Sequence, residues 1–226
     1  MDFNINQWIN IYAEAVQQQF GGRVWFIGLQ GSYGRGEATS TSDIDVVLIL
    51  DTLTVQDLKL YSELLDTLPN REMVCGFVSG KAELEAWEKS DLFQFCNVTT
   101  PIVGSLVHLM NEISKADVKR VIKIGACNIY HACVHNLLHE KSVVILKSLY
   151  KSAIFVCQAI VYLRTGIFEK KQANLSHFLV PGDRLVVNTR LRLNSVDALS
   201  DDEFIRLTEM LIKRASEWMQ EKWVEV

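Results

Sequence analysis

The sequence predicts an α+β protein in which a small mixed β-sheet, packed by helices, is followed by an all-helical bundle. The first half contains short apolar runs bounded by turn residues, a pattern typical of buried strands. Beyond about Pro101, longer segments follow with apolar residues at helical spacing. No repeat and no low-complexity linker separates the two halves. We therefore predict two closely associated domains, residues 1–110 and 111–226.

The first half is expected to alternate helices with short strands. Apolar residues between Trp8 and Phe20 recur at helical spacing, and Gly21 and Gly22 end that helix. The elements predicted after it are strands at 23–30 and 43–50, a helix at 55–68, a strand at 71–79, a short acidic helix at 81–91 and a candidate fourth strand at 92–98.

The second half is predicted to consist of helices with recognisable ends. Ser114, with Asp117 three residues later, should cap a long helix. A very apolar helix follows and should end at Gly166. The sequence "SDDE" at 200–203 is a capping box that should open the last helix.

Composition and charge argue against several classes of protein. With 49% hydrophobic and 22% charged residues, the chain has a globular rather than a disordered composition. A net charge of −4 without an evident basic patch disfavours a polymeric nucleic acid as partner. Lys147 and Lys151 interrupt the most apolar stretch, so a buried bundle helix is favoured over a membrane span.

The N-terminus and the cysteines favour a cytoplasmic protein. The first residues lack the basic region and the long apolar core of a signal peptide. The five cysteines show no C-x-x-C spacing, which favours free thiols over a disulfide framework or a cysteine zinc site. We expect a cytoplasmic location, and a homodimer is left open.

Two aspartates stand at the head of an apolar strand. Because side chains alternate along a strand, Asp43 and Asp45 should point the same way while Ile44 faces the core. Two carboxylates held this close repel each other unless a cation lies between them. Magnesium takes oxygen ligands and is usually bound by one or two carboxylates plus substrate phosphates. The pair is a candidate magnesium site, and the alternative is an ordinary strand entry whose acids cap turns.

The loop before the aspartates has the composition of a phosphate-binding loop. Gly31 lets the backbone approach a ligand closely, and Ser32 offers a hydroxyl and an amide. Arg35 adds a positive charge that could reach a phosphate. The alternative is a glycine-rich hairpin turn. The order of these elements also matters: a strand, then this loop, then Asp-x-Asp on a second strand. This combined pattern is a more specific signal of a phosphate and metal site than the loop or the aspartate pair alone.

The segment "GSYGRGEATSTSDIDVVLIL", residues 31–50, resembles the core motif of the DNA polymerase beta-like nucleotidyltransferase superfamily. That motif is Gly-Ser, roughly ten intervening residues, and then Asp-apolar-Asp. The likeness extends to Arg35 and Gly36, to Ser42 before the first aspartate, and to the apolar run after the second. It is strongest to the small bacterial branch, which includes antibiotic nucleotidyltransferases and minimal nucleotidyltransferases.

The resemblance implies a third carboxylate on a later strand of the same sheet. In "REMVCGFVS", residues 71–79, the only acidic residue is Glu72, at the start of the predicted strand. We therefore expect Glu72 to join Asp43 and Asp45 in catalysis and in holding metal. The alternative is a solvated glutamate at a strand entry.

The activity implied by the resemblance is metal-dependent transfer of an NMP, with AMP from ATP as the expected case. The acceptor would be a hydroxyl of a small molecule, such as an aminoglycoside. Two Mg²⁺ ions, held by the three carboxylates, would activate the attacking oxygen and stabilise the leaving oxygen. The expected nucleotide-binding residues in the first half are Gly31, Ser32, Arg35 and Ser42.

The helical half is expected to supply the acceptor site. Its segment 157–179, "CQAIVYLRTGIFEKKQANLSHFL", loosely resembles helical domains attached to such transferases. Lys147 and Lys151 lie one helical turn apart and could reach the triphosphate; the alternative is a solvated stripe. Two other functions stay open at this point: a protein-directed adenylyltransferase of the minimal type, and a catalytically relict nucleotide-binding module.

Overall fold

The computed structural model describes residues 3–196 and 198–223 of the chain. These residues form two compact units that meet in the sequence between Ile113 and Ser114, and we call them the N-terminal and the C-terminal unit. The border predicted between residues 110 and 111 falls within the last helix of the N-terminal unit, Val107–Asn111.

A mixed sheet of four strands organises the N-terminal unit. The strands are β1 (Val24–Leu29), β2 (Ile44–Leu50), β3 (Val74–Gly80) and β4 (Thr100–Val103). Their order in the sheet is β3-β2-β1-β4. Strand β1 runs antiparallel to both β2 and β4, whereas β2 and β3 are parallel. The predicted mixed sheet is confirmed.

Helices cover both faces of this sheet. They are α1 (Ile5–Phe20), α2 (Gly31–Arg35), α3 (Val55–Asp66), α4 (Lys81–Glu85), α5 (Lys89–Val98) and α6 (Val107–Asn111). Buried residues of α1 and α3 pack on one face. Buried residues of α4, α5 and α6 pack on the other face.

Strand β2 has apolar side chains on both faces. Ile44 and Val46 belong to the core beneath α1 and α3, whereas Val47 and Ile49 belong to the core beneath α4, α5 and α6. A central strand covered on both faces requires a nearly continuous apolar run, which explains the sequence "VVLIL". Asp45 is the second residue of the strand and lies on the same face as Val47 and Ile49.

The prediction of a strand at 92–98 is wrong, because this segment belongs to helix α5. Most of its apolar side chains are buried, and a short buried helix cannot be told from a buried strand by its periodicity. The fourth strand is Thr100–Val103 instead. It lies at the edge of the sheet, where a residue such as Pro101 is tolerated.

The C-terminal unit is helical wherever the structure describes an element in it. Its α-helices are α7 (Lys115–His135), α8 (Val143–Thr165), α9 (Gln172–Leu175), α10 (Pro181–Leu193) and α11 (Asp201–Gln220). A π-helical turn, Asn136–Glu140, follows α7, and a 3-10 turn, Ser176–Phe178, follows α9. Helix α8 packs against α7 and α10, and α7 also packs against α11.

The helix ends in this unit follow the capping signals in the sequence. Ser114 and Asp117 form a reciprocal capping box at the start of α7. The Ser200 side chain accepts a hydrogen bond from the Glu203 amide at the start of α11. Gly166 ends α8 in the left-handed conformation. The predicted helix ends are confirmed, but only the Ser200 half of the capping box predicted at 200–203 forms, because the Glu203 carboxylate accepts a hydrogen bond from Arg192 instead.

Helix α8 is long and apolar enough to cross a membrane when judged by length and composition alone. Half of its most apolar window is buried inside the C-terminal unit. Tyr150, Ala153, Ile154 and Cys157 along this helix have no exposed surface. A core helix of a packed bundle has these same properties.

Candidate active site

The segment from Gln30 to Glu37, which we call the Gly-Ser loop, lies beside the two aspartates because β1 and β2 pair in antiparallel fashion. Leu29, the last residue of β1, pairs with Val46 near the start of β2. The next residue, Gln30, donates its backbone N–H to the carbonyl of Asp45 at 2.8 Å. The loop therefore leaves the sheet beside the point at which the Asp-x-Asp segment enters it.

Gly31 lies directly against the carboxylate of Asp45. A Cβ atom at Gly31 would lie 1.8 Å from Asp45 Oδ2 and 2.8 Å from its Cγ. The φ angle of Gly31 is also +63°, in the left-handed region that favours glycine. Space and backbone conformation thus both require glycine here, and the carboxylate faces the loop backbone.

Ser32 offers a hydroxyl group beside this contact. The residue is half-buried at the beginning of α2, and its carbonyl accepts the Glu37 N–H at 2.8 Å, which closes the loop. Within the part of the chain that the structure describes, the Ser32 hydroxyl makes no hydrogen bond. It is therefore available to a ligand.

Asp43 lies just outside the sheet, because β2 begins at Ile44. Its side chain is exposed and forms no hydrogen bond or ion pair with any residue among 3–196 and 198–223. Asp43 and Asp45 flank Ile44, so their Cα atoms are at most about 7 Å apart. Carboxylates at this spacing are stabilised by a shared cation, and their oxygens are hard ligands suited to Mg²⁺.

Glu72 does not occupy the strand position predicted for it. It lies in a 3-10 turn, Arg71–Met73, and β3 begins at Val74, so the alternation of strand side chains does not apply to it. Its side chain is exposed. Nowhere in residues 3–196 and 198–223 are three His, Cys, Asp or Glu side chains grouped so that they could hold a metal ion. The structure therefore does not bring Glu72 to the aspartates as a third ligand.

Cys75 occupies the position beside Asp45 in the sheet. The parallel pairing aligns Ile44 with Val74 and Asp45 with Cys75. Paired residues of adjacent strands lie about 5 Å apart and point to the same face. Cys75 is exposed and free. Its position beside Asp45 cannot be predicted from the sequence alone, because it depends on the register between β2 and β3.

Arg35 and Ser42, both predicted to bind the nucleotide, are engaged within their own loop. The Arg35 Nε donates to Glu37 Oε2 at 3.0 Å, and both side chains are largely shielded from solvent. The Ser42 hydroxyl accepts the Thr39 N–H at 2.9 Å, and the Ser42 N–H donates to the Thr39 carbonyl. Both contacts shape the chain between the Gly-Ser loop and Asp43.

Lys147 and Lys151 lie on α8 in the C-terminal unit. The Lys147 ammonium group donates a hydrogen bond to the carbonyl of Val196. Lys151 is exposed and has no hydrogen-bond or ion-pair partner among the residues described. The structure thus engages one of the two lysines within its own unit and leaves the other in solvent.

The carboxylates at the opposite end of the sheet are paired with a cation. Arg23 precedes β1 and donates to Asp57 at 2.7 Å and to Asp51 at 3.2 Å. The Arg23 guanidinium, helped by hydrogen bonds from Thr54, holds the pKa of Asp57 well below its usual range. This pairing satisfies the charge without any ligand.

Comparison with known proteins yields one family. The family model described as a nucleotidyltransferase domain matches residues 9–126, slightly more than half of the chain. The match includes the Gly-Ser loop, both aspartates and all four strands. No curated protein sequence matches the chain significantly.

Among solved structures, the fold is similar to that of the spectinomycin adenyltransferase from Enterococcus faecialis, crystallised with ATP and spectinomycin. The TM-score is 0.61, and the alignment covers 94% of this chain and 100% of that chain. The sequences are 14% identical over this alignment, so the likeness is one of fold.

Proposed function

The chain belongs to the nucleotidyltransferase domain family of enzymes, and from this premise we propose that it transfers AMP from ATP to a hydroxyl group of a small acceptor in a metal-dependent reaction. The observation that supports this most directly is the contact between Gly31 and the Asp45 carboxylate. It joins a loop suited to phosphate oxygens with a side chain suited to a metal ion.

The side chains at this end of the sheet fit Mg²⁺. Asp43 is exposed and has no partner among the described residues, and Asp45 lies at the loop backbone, so both can offer oxygen ligands. We propose that these two residues hold the metal and that substrate phosphates and water supply the other ligands. When bound, Mg²⁺ would supply neutralisation of the charge that develops on the phosphate oxygens. Glu72 is not part of this proposal.

The remaining chemistry concerns binding and orientation by the chain itself. The acceptor hydroxyl oxygen forms a bond to the α-phosphorus and its proton passes to solvent, while the bond from that phosphorus to the bridging oxygen of the β-phosphate breaks and pyrophosphate leaves. Gly31 leaves room for the phosphates near Asp45, and Ser32 donates its hydroxyl to a phosphate oxygen. Both residues act by positioning and by hydrogen bonding, which are the main contributions of protein groups in phosphoryl chemistry.

Two observations support ATP and a small hydroxylated acceptor. The spectinomycin adenyltransferase with a similar fold was crystallised with ATP and spectinomycin. The net charge of −4 also suits a cationic acceptor such as an aminoglycoside.

The deciding experiment uses ATP carrying the radioactive label on either the α- or the γ-phosphate. The protein is incubated with Mg²⁺, a panel of aminoglycosides and other hydroxylated small molecules, and candidate proteins. We expect the α-label, and not the γ-label, on a small molecule, together with release of pyrophosphate. Transfer of the γ-label would overturn the proposal, because it indicates a phosphotransferase.

Two other outcomes would identify the competing functions. The α-label on a protein would replace the small acceptor with a protein acceptor. ATP binding without any transfer would favour a relict nucleotide-binding module. That second candidate has one observation in its favour, since the strand position beside Asp45 carries the thiol of Cys75 and not a carboxylate.

A further inference from the structure

Two threonine hydroxyl groups, one between α5 and β4 and one at the first residue of β4, connect the Gly-Ser loop to the rest of the N-terminal unit by hydrogen bonds. The Thr100 hydroxyl donates to the carbonyl of Gly34 inside the loop at 2.9 Å. The Gln30 side-chain amide, at the start of the loop, donates to the Thr99 hydroxyl at 2.7 Å. Two consecutive threonines thus hold both ends of the short helix α2.

The Thr99 contact is part of a continuous chain of hydrogen bonds. Its hydroxyl accepts from Gln30 and donates in turn to the Phe95 carbonyl in α5 at 2.5 Å. Thr99 is 2% exposed, so water cannot readily replace its hydroxyl as the partner of the Gln30 amide. The backbone N–H of the same Gln30 donates to the carbonyl of Asp45, so this series of hydrogen bonds extends to β2.

These hydrogen bonds end beside the two groups on which the proposed chemistry depends, the backbone of the Gly31–Ser32 loop and the carboxylate of Asp45. Gly31, between Gln30 and Ser32, is the residue whose backbone touches the Asp45 carboxylate. A shift of the loop relative to β2 would therefore change the distance between the phosphate-binding groups and the metal-binding carboxylate. The loop is also held by Tyr33, which packs against Phe3 and against the core beneath α1 and α3, whereas Arg35 pairs within the loop itself.

We propose that Thr99 and Thr100 are positioning residues that hold the Gly31–Ser32 loop at the correct distance from Asp45, so that triphosphate and metal are bound together. This inference rests on the proposed function. It adds residues outside the Gly-Ser and Asp-x-Asp motif that act through the loop and do not themselves touch the nucleotide.

The test compares Thr100→Val with Thr100→Ser. Valine keeps the shape of threonine but removes the hydroxyl, whereas serine keeps the hydroxyl. We expect Thr100→Val to weaken binding of Mg²⁺ and a non-hydrolysable ATP analogue roughly fivefold, the usual effect of one lost hydrogen bond. Thr100→Ser should bind within about twofold of the wild type. Binding is measured by calorimetry.

Thr67→Val is the matched control. The Thr67 hydroxyl also donates to a backbone carbonyl in this unit, that of Leu64 at 2.7 Å, but at the end of α3. It should leave nucleotide binding unchanged, and its effect on thermal stability is measured beside that of Thr100→Val. Equal loss of binding in both valine variants would overturn the positioning role, because it would indicate a general loss of stability.

Hydrogen exchange of the free protein supplies a readout that does not need a nucleotide. The amides of Gly34 and Glu37 are protected by hydrogen bonds within the loop. We expect both to exchange faster in Thr100→Val and at the wild-type rate in Thr67→Val. Unchanged exchange and unchanged binding in Thr100→Val would overturn this inference alone. Failure of the wild-type protein to bind the nucleotide would overturn the proposed function and this inference with it.

Discussion

The two ends of the sheet in the N-terminal unit hold carboxylates in different environments. At one end, Asp57 and Asp51 are paired with Arg23, and Asp57 also belongs to the capping box of α3. At the other end, Asp43 is exposed with no partner among the described residues, and the Asp45 carboxylate lies against the backbone of Gly31. One end thus pairs its carboxylates with an arginine, whereas the other holds an exposed aspartate and a carboxylate beside the Gly-Ser loop.

This difference indicates which acids contribute to stability and which to function. A carboxylate with a fixed cation partner in the fold adds stability and has little capacity left for a ligand. Under the proposed function, Asp43 and Asp45 serve instead as ligands of a metal ion. Substitutions at the two ends should therefore separate activity from stability.

The largest effect is expected from Asp43→Asn or Asp45→Asn. Either change removes a charged metal ligand, so the rate of nucleotidyl transfer should fall roughly 100- to 1,000-fold or more. The melting temperature of Asp43→Asn should not fall, because this side chain has no partner in the described fold. Transfer at the wild-type rate by either variant would refute the assignment of this end of the sheet as the active site.

Gly31→Ala should have the next largest effect. A methyl group at this position would collide with Asp45 Oδ2, and the short carboxylate side chain would have to rotate away. A displacement of about 1 Å in a catalytic group can cost roughly 100-fold in rate. We expect a loss of that order in steady-state assays.

Gly36→Ala is the matched control for this change. Gly36 has nearly the same left-handed backbone, with φ +70°, but an added Cβ would meet nothing within 4 Å. The control therefore carries the backbone strain without the collision, and its activity should stay close to that of the wild type. A similar loss of activity in both variants would attribute the effect to strain in the loop and not to the contact with Asp45.

Asp57→Asn should have the opposite profile, with lower thermal stability and retained activity. The hydrogen bonds from Arg23 depress the pKa of Asp57 in the folded protein. Its stabilising contribution is therefore fully present above the unfolded value of about 3.9 and is lost as the pH falls through the folded pKa. The difference in melting temperature between variant and wild type should shrink as the pH is lowered from 7 to 3.

A second aspartate serves as the reference for this measurement. Asp66 pairs with Arg71 at 3.0 Å, but its side chain is 67% exposed, so Asp66→Asn should change the melting temperature little at any pH. A larger loss of stability in Asp66→Asn than in Asp57→Asn would contradict the view that the Arg23 end of the sheet is the stabilising end.

The Gly-Ser loop and the aspartates could be predicted because their chemistry depends on residue types at short spacing. The strand "DIDVVLIL" is apolar enough to identify a central strand, and Gly31 is required by a local collision. The strands of the first half and the helices of the second half also followed from local patterns. The cytoplasmic location and the homodimer stay predictions.

The errors concern features that depend on neighbours in space. The strand at 92–98 is helix α5, because burial on several sides removes the periodicity that distinguishes the two structures. Glu72 was expected on β3 but lies in the turn before it, and the residue beside Asp45 is set by strand register. Register depends on pairing between segments about thirty residues apart, which a local pattern does not encode.

The position of Cys75 beside Asp45 can be tested by thiol labelling. Mg²⁺ with a non-hydrolysable ATP analogue, present at about four times its Kd, should slow alkylation of Cys75 roughly fivefold, in proportion to the occupancy. Cys127, also exposed but in the C-terminal unit, is the internal reference and should react at an unchanged rate. Equal protection of both thiols would contradict the location of the nucleotide at this end of the sheet.

The buried thiols should not interfere with this measurement. Burial raises the pKa of Cys96 and of Cys133 to about 12, so that both stay protonated at neutral pH. Cys157 is fully buried as well. The labelling pattern, read by mass spectrometry of the digested protein, therefore reports on the two exposed cysteines.

The smallest effect is expected from Glu72→Gln. Glu72 is exposed on a turn and belongs to no metal-binding group among the described residues, so transfer should stay within about twofold of the wild-type rate. A tenfold loss would instead identify Glu72 as a third acid that the bound substrate recruits.

The companion variant Cys75→Asp places a carboxylate at the strand position beside Asp45. If it lowers the Mg²⁺ concentration needed for nucleotide binding while Glu72→Gln has no effect, the third position of the site belongs to β3 and not to the turn before it.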